Sequence, residues 1–95
     1  VCTPHVPERR TRHWAIITGA GASSDTIAEA VEHGIDTLIV GEGPHHTAVE
    51  ALELDLVIIY AGHYATETLG ISALADELGR AYSLPCSFVH LPTGL

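Results

Sequence analysis

Lysine, methionine, asparagine and glutamine are all absent from these 95 residues, and phenylalanine and tryptophan occur once each. Without lysine the four basic residues are all arginine, three of them crowded at Arg9, Arg10 and Arg12, against twelve acidic residues and a formal net charge of −8 at pH 7. Binding to a phosphate backbone draws on counterions displaced by Lys and Arg, so this balance speaks against nucleic acid as a partner. The arginine cluster reads as a solvated loop ahead of the first strand. Two cysteines separated by most of the chain make neither a disulfide framework nor a metal knuckle. No apolar run approaches the ~20 residues that span a bilayer, and no signal-like start is present. No membrane partner is expected, and the expected setting is the reducing cytoplasm. A chain that begins at Val1 and lacks Met fits a piece of a longer protein, and the missing Asn and Gln fit a heat-adapted source.

What is present is enough for one small domain with a core. Residues 1–12 hold two prolines and three arginines with no periodicity, and are expected to be a linker or an excised end. Residues 13–95 are expected to form a single α/β subdomain. Trp14-Ala15-Ile16-Ile17-Thr18 reads as a strand that ends in the turn Gly19-Ala20-Gly21-Ala22. Ser23 or Ser24 then caps a helix whose apolar face is Ile27, Ala30 and Val31, and Gly34 supplies its stop. Thr37 to Val40 is a second strand, followed by Gly41-Glu42-Gly43-Pro44 and a helix through His46, Val49, Ala51 and Leu52.

The third unit repeats the pattern. Leu56 to Tyr60 is a strand and Ala61 to Tyr64 a loop. Ile71, Leu74, Ala75 and Leu78 give the next helix an apolar stripe, with Gly70 as a break near its start. Pro85 blocks further helix, and Cys86 to His90 reads as a fourth strand at an edge. The continuous apolar strands predict a three-layer α/β domain, β-α-β-α-β-α-β, with a mainly parallel sheet of about four strands.

In an open parallel sheet the βα loops emerge together at the carboxyl edge, where ligands bind. The first brings Gly19, Gly21, Ser23 and Ser24, the second Glu42, His45 and His46, the third His63 and Glu67. An imidazole and a carboxylate four residues apart have metal-ligand spacing, and nitrogen with oxygen suits zinc, manganese, iron or nickel. His63 is expected to leave the end of a strand, and Glu67 to sit in the first turn of a helix. Adjacent residues on a helix diverge by about 100°, so only one of His45 and His46 is expected to face the site, namely His46. Glu42 stands open between ligand, partner of an imidazole and exposed acid. Tyr64 is either a hydrogen-bond donor to substrate or a packing residue. Backbone N–H groups of the Gly19 to Ser24 turn are a candidate phosphate cradle. The turn lacks both the third glycine of a dinucleotide fingerprint and the lysine of a P-loop, and serine capping accounts for it without any ligand.

Taken in order, Gly19-Ala20-Gly21-Ala22-Ser23 after a strand, Gly41-Glu42 followed by His46, and Gly62-His63-Tyr64-Ala65-Thr66-Glu67 resemble the C-terminal part of the Nif-three-like proteins. These are also called dinuclear metal-centre proteins or GTP cyclohydrolase 1 type 2 homologues. The resemblance implies two divalent ions, zinc, iron, manganese or nickel, with His63 and Glu67 as the last two protein ligands and the others in a missing N-terminal part. It further implies a ring-like homo-oligomer, a hexamer in the family. The implied activity is metal-dependent hydrolysis of a small molecule such as a purine nucleotide. The alternative is a non-catalytic metal-binding scaffold or protein-interaction module.

Overall fold

The computed structural model describes residues 1–3 and 8–92. Part of the expected linker, residues 4–7 with His5, lies outside the described residues. The described elements are β1 (Cys2–Thr3), β2 (Trp14–Ile17), α1 (Ser24–Glu32), β3 (Thr37–Val40), α2 (His45–Glu53), β4 (Val57–Tyr60) and α3 (His63–Tyr82). The expected α/β architecture is present, with four strands in the order β1-β4-β3-β2. The sheet is mixed rather than mainly parallel in character. β2, β3 and β4 run parallel, with Ala15, Leu38 and Ile58 in register, and β1 lies antiparallel on β4.

Each parallel step moves one strand over in the same direction, and right-handed crossovers then place the connecting helices on the same face. The core shows this. Ile27 and Ala30 of α1 and Ala51 of α2 pack with Leu38, Val40 and Ile58 in one buried cluster, flanked by Ala15 and Tyr60. Alternation sends Trp14 and Ile16 to the other side of β2, where they are 59% and 54% exposed. α1 begins where Ser23 accepts a hydrogen bond from the Thr26 amide, and it ends at Gly34, whose φ of +69 needs no Cβ. α2 has no side-chain cap. Its buried Thr47 instead donates to the Pro44 carbonyl at 2.6 Å. Asp36, just before β3, accepts from the Arg12 and His13 amides and from the Thr37 hydroxyl.

Three expectations need correction. The fourth strand is Cys2–Thr3, not Cys86 to His90, which makes no ladder; β4's outer edge is already taken by β1. A two-residue strand has no periodicity to read. The third helix starts at His63 and runs through Gly70 unbroken for 20 residues, about 30 Å at helical rise. Its expected apolar stripe does not pack under the sheet: Ile71, Leu74 and Leu78 are exposed, and only Thr66 of α3 is buried. Ser83, in left-handed conformation, ends the helix, and the following segment turns back until the Leu91 amide donates to the Tyr64 hydroxyl at 2.9 Å.

Two glycines carry opposite expectations. A Cβ on Gly41 would stand 2.3 Å from the Gly19 carbonyl oxygen and 2.8 Å from the Gly19 nitrogen, backbone atoms with no room to yield. Gly41→Ala should therefore destabilise by about 1–3 kcal/mol. A Cβ on Gly70, in mid-helix, meets nothing, so Gly70→Ala should stabilise by about 0.5–1 kcal/mol. Urea unfolding of both variants reads the two signs. The amide of His13, then the Thr37 hydroxyl, hold the Asp36 pKa below its ordinary value. A depressed carboxylate pKa gives stability that is present above the unfolded pKa and lost as pH falls through the folded one. The melting-temperature gap between wild type and Asp36→Asn should accordingly narrow on acidification through that window.

Candidate metal centre

Three loops meet where β2, β3 and β4 end. After β4, the Ala61 amide donates to the Val40 carbonyl and the Gly62 amide to the Gly41 carbonyl, both at 2.8 Å, so the parallel ladder continues into the loop. Gly62, with φ of +102, then turns the chain into α3. Because His63 is the first residue of that helix rather than the last of a loop, His63 and Glu67 lie one turn apart on one helical face. His63 Nε2 stands 3.2 Å from Glu67 Oε1, and His63 Nδ1 stands 2.8 Å from Glu42 Oε1. The imidazole is thus held from both sides by carboxylates, Glu42 from the loop after β3 and Glu67 from its own helix.

Underneath lies a buried clamp. The Thr66 hydroxyl accepts from the Gly19 amide at 3.1 Å and lies within hydrogen-bond reach of the Gly62 and His63 carbonyls. The Glu42 amide donates to the Gly19 carbonyl at 2.8 Å, and the Glu42 carbonyl accepts from the Ala22 amide at 3.2 Å. Gly19 itself has a φ of +65 and faces the ligand pair: a Cβ there would stand 2.5 Å from Glu67 Oε1 and 3.3 Å from His63 Nε2. Glycine leaves that space open.

The hydrogen bond with Glu42 raises the His63 pKa above its ordinary value; burial opposes this, and the charges of Glu67 and Glu42 reinforce it. A raised imidazole pKa gives stability that is full below the unfolded pKa and lost as pH climbs through the folded one. The same rise delivers a neutral ring, the form that binds metal.

The other candidates fall as follows. His46 is exposed on the first turn of α2. Its neighbour His45 lines a cavity of about 300 Å³ with Val1, Glu42, Pro44 and Tyr60. Tyr64 contacts the C-terminal segment, its hydroxyl 3.2 Å from His90 Nδ1 and its ring edge-on to that imidazole. Four polar groups of the first turn are engaged within the fold. Ser23 caps α1, Ser24 donates to Glu50 at 2.8 Å, and the Gly19 and Ala22 amides serve Thr66 and Glu42. Gly21 is wedged against Ile17, 2.8 Å from its carbonyl oxygen once a Cβ is added.

Among the described residues, no three His, Cys, Asp or Glu side chains converge as a metal-binding group. Thr66 and Gly41 are the contributors that periodicity cannot find. A threonine between two ligand-type residues in a first helical turn is the one signal for the former.

The sequence and fold agree with one family: the chain belongs to the Duf34/NIF3 (NGG1p interacting factor 3) family, which matches residues 2–92. A GTP cyclohydrolase 1 type 2 homolog of Deinococcus radiodurans is 36% identical over the whole chain, which covers 36% of that relative. Another, from Halobacterium salinarum, is 41% identical over 85% of the chain and 31% of its own length. The chain therefore spans about a third of these relatives. Among solved structures, protein ybgI, described as of unknown function, has a TM-score of 0.77 at 35% identity over 86% of this chain and 32% of its own. TTHA1606 from Thermus thermophilus has a TM-score of 0.70 at 38% identity over 84% and 31%. Among the described residues, no helix is long and apolar enough to cross a membrane.

Thr66→Val tests the clamp. It removes the acceptor of a buried amide, so unfolding in urea should show a loss of about 1–3 kcal/mol, while Thr66→Ser, which keeps the hydroxyl, should lose less.

Proposed function

We propose that this chain supplies one side of a dinuclear metal centre in a metal-dependent hydrolase, with His63 and Glu67 as ligands. The observation that carries this is the convergence of His63 Nε2 and Glu67 Oε1, 3.2 Å apart, over a position that only glycine leaves open. The donor set fits the group: imidazole nitrogen and carboxylate oxygen suit zinc, iron, manganese or nickel. Two protein ligands leave a first-row ion incomplete. The remaining ligands are assigned to the part of the protein outside this third of the family length.

Bound divalent ions would supply Lewis acidity and a hydrolytic nucleophile at neutral pH. The chain's own residues hold the ligand pair and shape its surroundings. Glu67 borders two open grooves, one of about 460 Å³ with Thr18, Gly70, Ile71 and Leu74, and one of about 210 Å³ with Tyr64, Thr68, Phe88 and Leu91. A small-molecule substrate in either groove would meet Glu67 and a mainly apolar wall. A purine nucleotide is the proposed class, supported by the relatives' name, GTP cyclohydrolase 1 type 2 homolog.

A second reading, a metal-holding scaffold that recruits other proteins, is favoured by the exposed Trp14 and Ile16 on the sheet's open side and by the interacting-factor name of the family. That reading also accommodates a homo-oligomer. A scaffold predicts metal without turnover.

Elemental mass spectrometry on the intact protein, dialysed without chelator, tests the centre. Wild type should carry about two divalent ions per chain, and His63→Ala and Glu67→Gln should each lose most of that content. Equal trace metal in all three would sink the proposal. Hydrolysis of a purine nucleotide panel that falls together with metal content selects the enzyme; full metal with no product selects the scaffold.

A further inference from the structure

Glu42 is the second carboxylate in contact with His63 among the described residues. Its Oε1 meets His63 at Nδ1, the ring nitrogen opposite the one that faces Glu67, at 2.8 Å. Lone pairs on the two nitrogens of an imidazole diverge, so Glu42 cannot share an ion with Nε2 without giving up its hold on Nδ1. Nor does it behave as a free surface acid. Its backbone amide and carbonyl are both bonded to the first turn, at 2.8 and 3.2 Å, and the carbonyl of Gly41 before it accepts from the Gly62 amide at 2.8 Å. The residue is thus tied to the loop before α1 on one side and to the entrance of α3 on the other. The absence of room for a Cβ at Gly41 fixes that approach further.

A neutral imidazole has one N–H and one lone pair, and the hydrogen bond at one nitrogen decides which nitrogen keeps the lone pair. Carboxylates face both ring nitrogens, and the closer one, Glu42 at 2.8 Å from Nδ1 against Glu67 at 3.2 Å from Nε2, selects the tautomer in which Nδ1 carries the proton. We propose that Glu42 is a positioning residue that holds His63 in its Nδ1–H tautomer and fixes its ring plane, so that Nε2 presents its lone pair beside Glu67. The inference rests on the metal-centre reading for its purpose. Its physical content, which nitrogen carries the proton, stands by itself. Carboxylate partners of this kind raise the basicity of a ligating imidazole, and losing one costs about 10–100-fold in metal affinity.

The test uses the intact protein, metal-free, with Glu42→Ala and Glu42→Gln beside wild type. Long-range ¹H–¹⁵N correlation spectra at alkaline pH, where the ring is neutral, read the His63 tautomer. Zinc titration against a competing chelator reads affinity, and the melting temperature of the metal-free forms reads structure. Wild type should show Nδ1–H. Glu42→Gln, whose amide oxygen still accepts, should keep that tautomer with a smaller loss of affinity. Glu42→Ala should shift the ring toward Nε2–H and bind zinc about 10–100-fold more weakly, with an unchanged melting temperature. A wild-type tautomer in Glu42→Ala would overturn the inference, as would an affinity loss matched by a fall in melting temperature with no tautomer shift. Should wild type itself bind no zinc, the metal-centre reading fails, and the tautomer comparison still decides the role of Glu42.

Discussion

The hydrogen bond from the Gly19 amide to the buried Thr66 hydroxyl is the point on which the site depends. It joins the turn after β2 to the first turn of α3, elements separated by two strands' width of sheet, and Gly41 passes between them in contact with both. A buried amide must find an acceptor, and here the acceptor is a side chain on the same helical turn that carries His63 and Glu67. Stability of the sheet edge and placement of the two ligand-type side chains are for that reason one property. The helix could not shift along its axis without orphaning the Gly19 amide.

That arrangement explains why the electrostatics of the site are local. The chain as a whole is strongly acidic, yet the pKa of His63 is raised first by one hydrogen bond and only secondarily by nearby charge. Charges spread over an exposed surface are screened within a Debye length of about 8 Å at physiological salt, whereas the Glu42 and Glu67 carboxylates lie in contact with the ring. The acidic composition disfavours polyanionic partners; it says little about the imidazole.

Much of this was legible in the residues. The three apolar runs, the serine cap of α1, the glycine stop at Gly34 and the His-x3-Glu spacing each follow from a local rule, and each has its place in the structure. Failures came where the deciding interaction is long-range. Cys86 to His90 has strand-like composition, but β4's edge is closed by a pair of residues from the other end of the chain. Ile71, Leu74 and Leu78 have a sound helical stripe, yet periodicity records only that a face is apolar and not what covers it. His63 and Tyr64 of the expected Ala61 to Tyr64 loop belong to α3 because Gly62, not a polar cap, makes the turn into the helix. At the site, the spacing of His63 and Glu67 could be read directly. The partnership of Glu42 with Nδ1 is only one of three readings the sequence leaves open, since it joins residues 21 apart, one in a loop and one at a helix start.

The closure of β4 by β1 has one more consequence. A sheet edge offers unpaired amides and carbonyls to any passing strand, and proteins guard against such pairing. Here the outer edge of β4 is covered by the two-residue β1, and the Val1 carbonyl beside it accepts from the Tyr60 amide. Among the described residues the other flank, β2, is bordered by no further strand. Of the two edge strands, β2 is the longer, so strand addition to this sheet would find its more extended template at Trp14–Ile17, on the side of the molecule remote from Cys2.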